Sequence, residues 1–183
     1  VILDFRGARL GSVILNGVTL PADVSNGKHI RLPAGTLHSG RNSVSMSFAA
    51  LIAPAGASII RYHDATDGAN YLYTLLVPSD ANQLFPCFDQ PDIKARTSLT
   101  LTIPRGWNAV ANGPVQRADS AGTRTTIHFD RTKTISTYLI AFAAGPWARP
   151  RRAMAWRERG AIANARSKLI VMQGSLNPAA DSV

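Results

Sequence analysis

Read as alternating apolar and polar positions, the chain breaks into many short segments of period two, separated by Gly, Pro, Asn and Asp. This is the pattern of half-buried strands joined by turns. Val1 to Phe5 opens as a strand, and Ser12 to Leu15 turns at Asn16-Gly17, a two-residue hairpin signal, into Val18 to Leu20. Pro21 to Gly27 reads as a loop, His29 to Leu32 as a short strand ending at Pro33, and Gly40 to Asn42 as a turn. Ser43 to Ala53 alternates at first, with Val44, Met46 and Phe48 on one face, and is expected to continue as one long strand. Ala57 to Tyr62 follows, then a turn over His63 to Gly68, then a strand over Tyr71 to Val77 stopped by Pro78-Ser79-Asp80. Thr97 to Ile103 sets Leu99, Leu101 and Ile103 on one face and hydroxyls on the other, and ends at Pro104. Asp119 to Gly122 reads as a turn, Thr125 to Phe129 alternates, and Ile135 to Ala144 reads as one buried strand. About ten short strands with no convincing helix predict an all-β antiparallel domain.

Between two of these strands lies Phe85-Pro86-Cys87-Phe88-Asp89-Gln90-Pro91-Asp92. Each proline lacks an N–H and drives its predecessor towards extended geometry, so the run can be neither regular helix nor central strand. It predicts an ordered, irregular connector. After Trp147 the character changes to a basic tail, 147–183, whose pattern fits either one short helix or a remnant read out of frame, with weak order expected in both cases. The domain proper is expected over 1–146.

The formal net charge of +9 narrows when divided along the chain. Residues 1–146 hold 13 Lys/Arg against 9 Asp/Glu and the tail holds 7 against 2, so the tail carries +5. The scattered charges of the body argue against nucleic-acid binding. No apolar run approaches the roughly 20 residues of a membrane span, and no basic segment followed by an apolar stretch marks a leader. With a single cysteine no internal disulfide can form, which favours a reducing, cytoplasmic setting.

Candidate chemistry is sparse. His63, Asp64 and Asp67 form the one cluster that suggests a metal or a proton relay, but three polar residues in a turn are more often solvated. Asp89 and Asp92 are expected to satisfy backbone N–H groups or to pair with Lys94 and Arg96. Cys87 has no histidine placed beside it, and Ser79 and Ser98 lack a nucleophile-elbow context. No catalytic residue and no metal ligand is assigned.

Tyr71-Leu72-Tyr73-Thr74 followed by Pro78-Ser79-Asp80-Ala81, then the connector through Ala95, then Thr102-Ile103-Pro104-Arg105-Gly106-Trp107 with Ala111-Asn112-Gly113, resembles the N-terminal domain of M1-family zinc aminopeptidases, the aminopeptidase N group. Leu37, Gly40, Asn42, Val44 and Phe48, and the segment Ser136 to Phe142, are similar to further family patterns. The similarity covers roughly Val1 to Trp147. It implies a saddle-like antiparallel β-sandwich, incomplete at its N-terminal edge, with Phe85, Pro86, Cys87, Phe88, Asp89, Pro91 and Lys94 as scaffold. It also implies a fragment of an enzyme that removes N-terminal residues from peptides, its partner being a catalytic domain that lies outside these residues.

Zinc belongs to that full-length family. In this chain no two of His29, His38, His63 and His128 stand at His-Glu-x-x-His spacing, and Glu158 is the only glutamate, so neither that motif nor the family's G-x-M-E-N motif is present. No cofactor is expected in this chain. By family position Leu75 and Val77 line the first substrate pocket, where relatives carry Gln and often Glu. Asn82 stands where many have Arg, and Thr97 where Phe is common. Leu75 and Val77 also fit a plain core strand. The alternative function is a stand-alone, non-catalytic β-sandwich module that binds peptide or protein.

Overall fold

The computed structural model describes residues 1–147 together with the strand Gly174–Leu176. The chain opens with β1 (Ile2–Asp4) and β2 (Arg9–Leu15), which turns into β3 (Val18–Thr19). Asn16 and Gly17 sit at φ 51° and 84°, so the expected hairpin forms with Leu15 opposite Val18. Then come β4 (His29–Arg31), β5 (Asn42–Ala49), β6 (Ile52–Ala53), β7 (Ile59–His63) and β8 (Asn70–Thr74). A single helical turn, α1 (Ala81–Leu84), leads to β9 (Lys94–Ala95), β10 (Thr100–Pro104), β11 (Asn108–Ala111), β12 (Val115–Ala121) and β13 (Arg124–Phe129). The remaining strands are β14 (Ile135–Ser136), β15 (Phe142–Gly145) and β16 (Gly174–Leu176).

These strands form an all-β sandwich. One sheet has the order β16-β5-β2-β3, a second β11-β15-β8-β7-β6 and a third β10-β13-β12, with the two-stranded pairs β1-β4 and β9-β14 beside them. Pairing is antiparallel except between β6 and β7. The inner faces bury Leu15, Ile30, Leu32, Leu84 and Ile127 almost completely, with Phe5 and Phe48 meeting edge to face at 5.6 Å. Each such side chain contributes roughly 1.5–3 kcal/mol by leaving water. The period-two readings hold within the strands, with Leu101 and Ile103 buried and Thr102 exposed, and Phe48 buried while Ser43 and Ser45 are exposed. However, β10 starts only at Thr100, so Leu99 is buried just ahead of it and Thr97, expected on the outer face, is buried too.

Several boundaries differ from expectation, each for a physical reason. The segment 43–53 is two strands, because the chain leaves the β5 sheet at Ala49 and joins the β7 sheet at Ile52 through an exposed Leu51. The segment 135–144 is likewise broken. The Ser136 hydroxyl donates to the Pro91 carbonyl and the Thr137 hydroxyl to Asp89 at 3.0 Å, drawing Thr137–Leu139 into a 3-10 turn. The expected turn at Asp119 is strand, since β12 runs on to Ala121 opposite β13. The helical turn α1 has no counterpart in the sequence reading. The tail's expected helix falls on residues outside those described.

Candidate functional site

The connector after α1 is anchored at several points. Phe85 and Cys87 are buried, and Pro86 and Phe88 are half-buried. Cys87 makes a β-bridge with Asp4: the Asp4 N–H donates to the Cys87 carbonyl at 2.8 Å and the Cys87 N–H to the Asp4 carbonyl at 3.1 Å. Asp89 is the hub. Its carboxylate accepts from the Asn82 backbone N–H at 3.1 Å, from the Asn82 side-chain amide and from the Thr137 hydroxyl. The Asp89 N–H in turn donates to the Asp4 carboxylate at 3.1 Å. Arg6 completes the clasp, its Nε donating to Asn82 Oδ1 at 2.6 Å. Asp89 thus satisfies backbone and side-chain donors, as expected, but neither Lys94 nor Arg96 is its partner. Lys94 lies exposed in β9, and Arg96 Nε donates to the Thr134 hydroxyl. Pro91 is exposed and serves through its carbonyl.

Asp4, Arg6, Lys28, His29, Ser79, Asn82 and Asp89 border an open cleft of about 350 Å³. His29 Nδ1 meets Asp4 Oδ1 at 3.2 Å, and Asn82 engages both Arg6 and Asp89. This arrangement holds backbone segments together. Burial, with the Asp89 and Asp4 charges adding, pushes the Cys87 thiol well above its ordinary value, so it is kept from the reactive thiolate form.

Beside the clasp, β8 ends at Thr74, three residues short of the strand expected to run through Val77. The Leu75 N–H still donates to the Ser58 carbonyl, Leu76 turns into the core at 2% exposure, and the Val77–Pro78 peptide is cis. Leu75 and Val77 therefore point outward, 51% and 58% exposed, which overturns the plain-core reading of both. Leu75 continues an outer apolar face of the β8 sheet on which Tyr73 and Ala143 are half-buried neighbours and Val110 is exposed opposite Ala143.

The turn at His63 is built for itself. His63 Nδ1 meets Asn70 Oδ1, Asp64 accepts from the Thr66 N–H, and Asp67 accepts from the Ala69 N–H and the Tyr71 hydroxyl. Among the described residues no group of three metal-ligating side chains converges. The Tyr71 hydroxyl, then the Ala69 N–H, hold the Asp67 carboxyl below its usual range, and the Tyr71 phenol is pushed up to about 12, chiefly by Asp67. A depressed carboxylate stabilises the fold above its unfolded value, near pH 4, and loses that contribution as pH falls through the folded one. Melting temperature should therefore drop less below pH 4 in Tyr71→Phe than in the unaltered chain, a small difference because Asp67 is exposed.

Sequence reading assigned Asp4 no role beyond a place in the first strand, took Thr137 only as part of the family-like segment Ser136 to Phe142, and treated Asn82 only as a departure from a family pattern. The one local signal was Asp4 itself, a lone charge in the apolar run Val1 to Phe5. Nothing local links it to Asp89, 85 residues away.

Comparison with known proteins agrees with this architecture. The profile of the peptidase M1 N-terminal domain matches residues 15–139. Aminopeptidase N of Streptomyces lividans is 32% identical over 146 residues, 79% of this chain and 16% of that protein. Glutamyl aminopeptidase of Homo sapiens is 42% identical over 69 residues, 36% of this chain and 7% of that protein. The chain thus spans only a small part of the relatives it matches. A crystal structure of an M1 zinc metallopeptidase from Deinococcus radiodurans shares the fold, with a TM-score of 0.58, 21% identity, and coverage of 79% of this chain and 34% of that one. With the matched profile spanning the Asn16-Gly17 turn, β8 and the connector, the chain belongs to the peptidase M1 N-terminal domain family.

Proposed function

We propose that this chain serves as the N-terminal β-domain of a zinc-dependent aminopeptidase, an enzyme that removes N-terminal residues from peptides, and that it works against a catalytic domain carrying the metal. The observation that carries the reading is the exposure of Leu75 and Val77 at the end of β8, next to a connector fixed on the other side by Asp89. A surface of that composition gains by being covered. Its apolar side chains suit the wall of a first substrate pocket, and without a hydrogen-bond acceptor they favour selection by shape over capture of a free amino group. Domain 1–146 is the working unit in this reading and 147–183 a separate basic extension. The buried thiol of Cys87 suits a reducing, cytoplasmic setting. Among the described residues no helix is long and apolar enough to cross a membrane.

The test has two stages. The coding sequence beyond this domain, read in all frames, should encode His-Glu-x-x-His followed by a further glutamate; none within a domain's length overturns the reading. In the enzyme so defined, Leu75→Gln supplies an acceptor for the substrate ammonium. KM for aminoacyl reporter substrates should then fall by about tenfold, the worth of a hydrogen bond to a charged group, with kcat little changed. An unchanged KM in both Leu75→Gln and Val77→Gln removes these residues from the pocket.

A further inference from the structure

Three Asn-Gly steps occur in the chain, Asn16-Gly17, Asn26-Gly27 and Asn112-Gly113. A glycine has no Cβ to shield its backbone nitrogen, so in an unfolded chain each of these nitrogens can attack the side-chain carbon of the asparagine before it. The fold treats the three steps differently.

Asn16 and Asn112 are pinned at both ends of the side-chain amide. Asn16 Nδ2 donates to the Thr36 carbonyl at 2.8 Å and to Asn42 Oδ1 at 2.9 Å, while its Oδ1 accepts from the Ser43 N–H at 2.9 Å. Asn112 Nδ2 donates to the Leu139 carbonyl at 2.9 Å, and its Oδ1 accepts from the Ala141 N–H at 2.7 Å. In both, the nitrogen that would have to leave is held, and Gly113 is also hemmed in by the Asp130 carbonyl.

Asn26 is held only by its oxygen. Its Oδ1 accepts from the Lys28 N–H at 2.9 Å and from the His29 N–H at 2.8 Å, which curls the side chain over the turn containing Gly27. Two N–H donors on a carbonyl oxygen stabilise the negative charge that the oxygen gains when its carbon is attacked. Among the described residues Asn26 Nδ2 makes no hydrogen bond, and nothing lies within 4 Å of the Gly27 Cβ position. Asn26 to His29 are all exposed, and the Gly27 N–H donates to the Ser25 hydroxyl at 3.2 Å.

We infer that Asn26 is a site of spontaneous covalent modification in the folded chain, its amide passing to a carboxylate with water as the only co-reactant. The Gly27 nitrogen gives its proton to solvent base and bonds to Asn26 Cγ. The Cγ–Nδ2 bond breaks, and the nitrogen takes a proton from solvent and leaves as ammonia. Water then opens the five-membered imide at either carbonyl, yielding aspartate or isoaspartate at position 26. Aspartate keeps an acceptor for the two N–H groups. Isoaspartate lengthens the main chain by one atom between Ser25, bridged to Ile30, and the start of β4, and so loosens the His29 contact with Asp4. Either product sets a new negative charge beside Lys28 and His29 on the rim of the cleft. The inference does not rest on the proposed activity.

The test holds the whole chain folded in mildly alkaline buffer and, in parallel, unfolded in concentrated urea. Samples taken over time are digested with an acid protease and mapped by mass spectrometry, with electron-transfer fragmentation to separate isoaspartate from aspartate. In urea the three steps should react at similar rates, because local sequence then decides. In the folded chain Asn26 should keep its urea rate and yield both products. Asn16 and Asn112 should react at least about tenfold more slowly, because a held hydrogen bond must break first. Asn26 slowed by folding as much as the other two, or either of those reacting as fast folded as in urea, would overturn the inference.

Discussion

Asp89→Ala should lower the unfolding free energy of the domain by about 3 kcal/mol, because three donors lose their acceptor at once in a half-buried setting. Those donors are the Asn82 backbone N–H, the Asn82 side-chain amide and the Thr137 hydroxyl, which tie α1 and the turn before β15 to the connector. Asp89→Asn is the sharper variant, since it keeps the shape but sets an amide donor among donors. It should recover less than half of the loss. Urea denaturation measures the size, and hydrogen exchange locates it. The Asn82 and Cys87 amides should exchange faster in Asp89→Ala while the β12–β13 hairpin, to which the Asp89 carboxylate makes no hydrogen bond, keeps its protection. A loss within about 0.5 kcal/mol, the range of an ordinary surface change, would show that the hub is ornamental to stability.

Gly113→Ala should be comparably damaging for a different reason. A Cβ at Gly113 would overlap the Asp130 carbonyl oxygen, and the Asp130 N–H is at the same time bonded to the Pro114 carbonyl at 2.9 Å. Both colliding groups are backbone, so no side chain can rotate away and the strands on either side must separate. An overpacking cost of about 2–3 kcal/mol follows, or a fall in Tm of roughly 4–12 °C for a chain of this size. Gly35→Ala is the control. Nothing lies within 4 Å of its Cβ position, and it should melt with the unaltered chain.

How much of this was legible from residues alone depended on the range of the forces involved. Asn16-Gly17, the alternation of Leu101 and Ile103, and the proline-bounded connector are governed by neighbours, and each was read correctly as hairpin, half-buried strand and irregular segment. The misread places are those where a distant partner decides. Ser136 and Thr137 sit in an apolar run that reads as strand, but their hydroxyls are claimed by Pro91 and Asp89, 45 and 48 residues earlier. β8 stops at Thr74 because Leu76 turns into the core while Leu75 and Val77 turn out of it, a choice invisible in a uniformly apolar string. For the site, family position marked Leu75, Val77, the connector and the segment holding Thr137, whereas nothing in the sequence joined Asp4 or Thr137 to Asp89.

The placement of Asp4 has a consequence for biosynthesis. β1 leaves the ribosome well ahead of its partners, since Cys87 and the Asp89 N–H that seals the contact follow more than 80 residues later. At roughly 5–20 residues per second that leaves β1 waiting for about 4–17 s with only β4 to pair with. The nascent chain must therefore hold an unfinished N-terminal layer, sticky along Leu3 and Phe5, until the clasp arrives, which makes that interval the window in which chaperone contact matters most.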